Sequence, residues 1–144
     1  MSAPAADEIR REIHIAAPPQ AVYAYFTDPV KVLRWKGQDA TLEPRPGGVY
    51  RLILGEGVIV RGEYVRLTPY SQIVFTWGWE GDDSPLPPGA STVEVNFVAE
   101  QGGTLVSLRH YGLPSAVRQQ HAEGWDYFLP RLEHVVAEDT AAGA

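Results

Sequence analysis

Apolar and polar residues alternate with a period of two along most of this chain, and the period becomes helical near the C-terminus. Ile9, Arg11, Ile13 and Ile15 share one face of a first strand, with Arg10, Glu12 and His14 on the other. Pro18 and Pro19 then open a helix, because proline suits a first turn whose N–H has no helical partner. Val22, Tyr25 and Phe26 give that helix an apolar side, Asp28-Pro29 breaks it, and a second short helix carries Val32, Leu33 and Trp35. Further strands are predicted over residues 41–43, 49–54, 58–67, 72–79, 91–100 and 104–111. The turns between them are built from Pro44 to Gly48, Gly55 to Gly57, Thr68 to Ser71 and Gln101 to Gly103, with a longer acidic, proline-rich loop over 80–90. Short turns between consecutive strands imply antiparallel pairing.

A last helix begins after Gly112-Leu113-Pro114, with Ser115 as its N-cap, and runs to about Val136. Val117, Trp125, Phe128, Leu129, Leu132 and Val136 recur on its apolar side, joined by His121 and Gly124. Pro130 inside it predicts a kink, since proline deprives the Asp126 carbonyl of its partner. Two helices after the first strand, then strands, then one long helix make an α+β fold with an antiparallel sheet of about six to seven strands. Residues 1–8 and 137–144 are small and polar and read as flexible tails around one domain over 9–136.

Composition narrows the function. The 144 residues carry a net charge of −6 and no cysteine. That balance argues against nucleic acid as a partner, which selects a basic footprint, and Arg45, Arg51, Arg61 and Arg66 read as solvated strand residues. The absence of cysteine removes disulfides, thiolate metal sites and cysteine nucleophiles. No apolar run approaches the roughly 20 residues of a membrane span, so membrane insertion is not expected. Nothing at the N-terminus resembles a signal peptide, and a cytoplasmic location is the default expectation. The histidines and acids lack metal-ligand spacing, no serine sits in a nucleophile elbow, and no cofactor or metal is implied.

Candidate chemistry concentrates on the inward faces. Tyr50, Phe75, Trp77, Trp79, Phe97, Leu108, Trp125, Phe128 and Leu129 all point inward on the pattern, and such residues either fill a core or line an apolar cavity. His110 and His121 interrupt apolar faces on the last strand and the last helix. Each could orient a ligand, act as a general base, or be a hydrogen-bonded buried histidine with no ligand role. Arg11 could meet a ligand carboxylate, reach a pocket mouth or pair with an acid such as Glu63. Gly124 costs a helix about 1 kcal/mol relative to alanine, so it marks either close packing or space for a ligand.

An ordered set of short motifs carries a family resemblance over roughly residues 9–136. It comprises Arg11 to Val22, Thr27-Asp28-Pro29 with Trp35, Pro46-Gly47-Gly48, Gly62-Glu63-Tyr64, Val74 to Trp77, Leu108 to Leu113, and His121 to Trp125 with Leu129 and Leu132. The chain resembles the activator-of-heat-shock-protein-ATPase homologue family, a branch of the START-like (SRPBCC) superfamily. The resemblance implies a helix-grip fold, in which a curved sheet wraps a long C-terminal helix around a cavity. It implies, in order, three functions: binding of a small apolar or amphipathic molecule in that cavity, a cyclase or dehydratase using His110 or His121, or association with a heat-shock chaperone. Whether a reaction is catalysed stays open, as does a monomeric or homodimeric state.

Overall fold

The computed structural model describes residues 8–142. The N-terminal tail expected over 1–8 falls, but for Glu8, outside those residues. Strand β1 (Ile9–Ile15) leads into helix α1 (Pro19–Tyr23), which tightens into a 3₁₀ turn over Ala24–Phe26, and then into α2 (Pro29–Val32). The strands β2 (Asp39–Leu42), β3 (Val49–Gly55), β4 (Val58–Thr68), β5 (Gln72–Trp77), β6 (Ser91–Glu100) and β7 (Gly103–Tyr111) follow, and α3 (Ser115–Ala142) ends the described chain. The Asp28 carboxylate caps α2 by accepting from the Val30 N–H at 2.8 Å, and Pro29 takes the first helical position.

The strands form one seven-stranded antiparallel sheet in the order β1-β7-β6-β5-β4-β3-β2. Each strand from β2 onward pairs with its successor, and β1 adds to the far side of β7, with Ile13 opposite Val106. Register shifts between Ile53 and Gly55 and between Tyr64 and Arg66 bend β3 and β4. The inner face is apolar by alternation: Ile73, Phe75 and Trp77 on β5, Val93, Val95 and Phe97 on β6, and Val106 and Leu108 on β7 are all buried. The helix lays Val117, His121, Trp125, Leu129, Leu132 and Val136 against that face at three- and four-residue spacing.

Two core aromatics find carbonyl partners for their polar tips. Tyr64 donates its hydroxyl to the Phe26 carbonyl at 2.9 Å, and the Trp35 indole N–H donates to the Tyr25 carbonyl at 3.0 Å. Tyr50 stacks on Phe75 with centroids 4.1 Å apart, and Phe97 packs between Tyr23 and Phe26.

Several expectations need correction. Strand β5 ends at Trp77, because Gly78 packs so tightly that a Cβ there would stand 1.9 Å from the Pro87 carbonyl oxygen. The 80–90 segment is a mostly exposed loop, as expected, pinned by Leu86, which is buried and whose carbonyl accepts from the Trp79 N–H at 2.7 Å. Arg51 and Arg61 are not simply solvated; both reach Glu80, at 2.7 and 3.6 Å. The Arg51 hydrogen bond holds the Glu80 carboxyl below its ordinary range. Arg11 pairs with neither Glu63 nor a cavity group but with Asp126 of α3, at 2.6 Å.

The last helix is longer than its apolar pattern implies. Residues 137–142, expected as part of a tail, continue α3, and the helix passes through Pro130 without a break. Pro130 is exposed, so the carbonyl it leaves without a partner faces the solvent side. The extension is anchored: Asp139 accepts from the Tyr25 hydroxyl at 2.6 Å and from Arg34 at 2.6 Å. Among the described residues no helix is long and apolar enough to cross a membrane.

Candidate functional site

A cavity of about 190 Å³ lies between the sheet and α3. Its walls are Leu54 at the end of β3, Trp77 at the end of β5, Trp79 just beyond it, and His121, Gly124, Trp125 and Phe128 of α3, with Lys36 and Gln120 adding polar atoms. The indole of Trp77 sits 5.5 Å from those of both Trp79 and Trp125, so three tryptophans enclose one space.

The two histidines are held by these tryptophans. An indole N–H can only donate. Trp125 donates to Nδ1 of His110 at 3.0 Å, which leaves the His110 proton on Nε2, facing the Ser91 hydroxyl at 2.9 Å. Ser91 in turn donates to the Trp77 carbonyl at 2.8 Å. Trp79 donates to Nε2 of His121 at 2.8 Å, so its proton lies on Nδ1 and is donated to the Val117 carbonyl at 2.7 Å. Both rings are therefore neutral, in opposite tautomers, with both nitrogens engaged. Burial is the main cause that pushes the His110 pKa down to about 2, and burial also lowers that of His121. Neither ring has a free nitrogen to act as a general base on a molecule in the cavity.

Lys36 is the group that the sequence pattern did not single out. Its N–H donates to the Val32 carbonyl at 3.0 Å, so the helical turn continues past α2 and sets Lys36 on the face of buried Val32. Gly37 then reverses the chain with φ +93°, a conformation that favours glycine. Lys36 is only 2% exposed. Its Nζ lies 4.2 Å from the ring centre of Trp77 and 4.3 Å from that of Trp125, and it has no hydrogen-bond partner among the described residues. The ring faces favour an ammonium, by about 2 kcal/mol when desolvated. Burial of a charge costs several kcal/mol and outweighs them. The amine's pKa therefore lies well below the ordinary lysine range. A lysine four places after an apolar helix residue, beside Trp35, was the signal available in the sequence.

Of the residues singled out from the sequence, Trp77, Trp79, His121, Gly124, Trp125 and Phe128 line the cavity together. Tyr50, Phe75, Phe97, Leu108, His110 and Leu129 are buried in the surrounding core and do not line it. Leu54, Gln120 and Lys36 are the additions. Gly124 is resolved between its two explanations: a Cβ there would meet nothing within 4 Å, so it leaves space and is not a close-packing glycine.

A curved antiparallel sheet gripping a long C-terminal helix over an apolar pocket defines a helix-grip, START-like domain. Residues 16–137 match the family described as Activator of Hsp90 ATPase homolog 1-like protein, and the chain belongs to that family. The human activator of 90 kDa heat shock protein ATPase homolog 1 is 27% identical over 111 residues, covering 76% of this chain and 31% of the human protein. The chain thus spans about a third of the length of that curated relative. The solution structure of an AHSA1-like protein from Rhizobium etli is 44% identical, with a TM-score of 0.71 over 90% of this chain and 81% of that one. DynU16, from the dynemicin biosynthetic locus, has a TM-score of 0.78 at 23% identity over 91% of this chain and 47% of that one, a likeness of fold alone.

Proposed function

We propose that this domain binds a small apolar molecule in the cavity between the sheet and α3. The observation that carries the reading is the open space beside Gly124, enclosed by Trp77, Trp79, Trp125 and Phe128. The volume of about 190 Å³ exceeds the roughly 150 Å³ that accommodates a benzene ring. It falls short of the ~300 Å³ at which drug-sized pockets begin. A molecule of one or two rings fits that interval. The test is titration with uncharged aromatic probes, benzamide and 2-naphthamide, read by tryptophan emission. A saturable change that Gly124→Phe abolishes supports the reading. No saturable change with either probe would reduce the aromatic set to a core.

A chaperone-associated role is the second reading, supported by family membership and by the name of the human relative. Saturable capture of Hsp90 with stimulation of its ATPase would place it first.

A further inference from the structure

The cavity contains an imbalance between donors and acceptors. Lys36 Nζ and the Trp77 indole N–H are both buried, both belong to cavity-lining residues, and neither has a hydrogen-bond partner among the described residues. Buried polar groups in folded proteins are nearly always paired, so two unpaired donors on one cavity need an explanation. The nitrogens of His110 and His121 are engaged with Trp125, Trp79, Ser91 and the Val117 carbonyl, and the one amide side chain on the wall, exposed Gln120, makes no hydrogen bond to either donor. Among the described residues no carboxylate lines the cavity.

We propose that the ligand of this cavity is an aromatic or otherwise apolar carboxylic acid, whose carboxylate pairs with Lys36 while its apolar body packs against Trp77, Trp79, Trp125 and Phe128. This rests on the cavity being a ligand site and adds the chemical class of what enters it. Four rings surround the amine, those of Trp77 and Trp125 at 4.2 and 4.3 Å and those of Trp35 and Phe128 at 5.5 and 5.8 Å. These rings stabilise an ammonium without neutralising it; Nζ itself is covered, so the side chain turns into the cavity to meet the oxyanion. The amine is already out of water in the folded protein, and pairing with a carboxylate offsets the cost of charging it there.

The proton balance follows. Burial favours the neutral amine in the empty site, and the bound site holds an ammonium beside a carboxylate. Where the empty amine is deprotonated, a ligand arriving as the anion draws a proton from solvent, and one arriving as the free acid transfers its own proton to Nζ. The titratable groups facing Lys36 are His121 from α3 and His110 from β7, both kept neutral chiefly by burial. Neither supplies or takes up this proton.

The experiment compares 2-naphthoic acid with 2-naphthamide, and benzoic acid with benzamide, by calorimetry on the whole chain at pH 6.5. Each titration is repeated in phosphate and in Tris, whose heats of ionisation differ. The wild type should bind the acids at least about tenfold more tightly than the amides, the margin expected for hydrogen bonds to charged groups. The buffer dependence should report net proton uptake on binding the acids and none on binding the amides. Lys36→Met keeps the length of the side chain without the amine; it should retain the amides and lose the acid preference. Equal binding of acid and amide, or an acid preference that survives Lys36→Met, overturns the carboxylate assignment and leaves the apolar pocket standing. Failure of every probe to bind overturns both. Incubation with 2-naphthaldehyde and borohydride is the control for an imine. A naphthylmethyl adduct on Lys36, together with no preference for the acids, would replace the carboxylate by a carbonyl compound and overturn the proposal.

Discussion

Trp125 donates its indole N–H to Nδ1 of His110 at 3.0 Å, and that single bond ties the middle of α3 to the last strand of the sheet. It also removes His110 from any chemistry in the cavity, because the nitrogen that could accept a proton is already an acceptor. The nitrogens of the two histidines that stand out most in the sequence are thereby engaged within the protein, and the buried amine without a partner belongs to a lysine in a short turn.

Both histidines make stability depend on pH. Their folded pKa values are depressed, His110 to about 2 from 6.5, so the unfolded chain binds protons that the folded one refuses. The associated stability is present above pH 6.5 and is lost as pH falls below it. The loss is roughly 1.4 kcal/mol per pH unit for each proton. Urea unfolding between pH 7 and pH 4.5 should show this slope, and His110→Gln should reduce it. Asp126 and Asp139, whose carboxyls are held low chiefly by hydrogen bonds from Arg11 and Arg34, add a loss of the same sign only further down the acid range.

Lys36→Met should stabilise the empty protein at neutral pH. An unpaired buried donor costs about 1–3 kcal/mol, and methionine fills similar volume without it. The lysine pKa is lowered in the folded state, so the pH-dependent part of the penalty is present at pH 7 and disappears as pH rises past the ordinary lysine value of 10.5. The stability difference between the two proteins should be larger at pH 7 than near pH 10.5, where only the unpaired neutral amine still counts. Equal stability at pH 7 would mean that the amine is solvated.

Gly124→Ala should raise stability by about 0.5–1 kcal/mol, because alanine is the better helix former and its methyl group meets open space. Gly124→Phe should fold as well as the wild type and abolish probe binding. Thermal melts paired with the probe titration separate the two effects.

Leu108→Trp should cost roughly 1–3 kcal/mol, since Leu108 is buried in the packed core and not on the cavity wall. Probe affinity in the folded fraction should be unchanged. An unperturbed melt would mean that free volume extends to β7.

Removing residues 137–144 should lower stability through loss of the Asp139 bonds to Tyr25 and Arg34. Asp126→Ala, by contrast, breaks an exposed pair with Arg11 and should cost less than about 1 kcal/mol. Chemical denaturation of both variants checks the contrast.

Alternation along Gln72–Trp77, Ser91–Glu100 and Gly103–Tyr111 was enough to place the strands, their antiparallel order and their inward faces, because a period of two in a half-buried strand is a local property of the chain. The periodicity of Val117, Trp125, Leu129 and Leu132 likewise marked α3 and its buried side. Periodicity has no way to distinguish an inward aromatic in the core from one on a cavity wall, so Phe75 and Trp77 looked alike until the sheet curved and the helix crossed it. Asp139 lies beyond the apolar stripe, and its anchors Arg34 and Tyr25 are more than a hundred residues away, so the extension of α3 had no local signature. The engagement of His110 and His121, and the isolation of Lys36, arise from pairings between β7, α3 and the turn after α2. Which donor meets which acceptor across such distances depends on the packed arrangement in three dimensions, and there the amine of Lys36 is left without a partner.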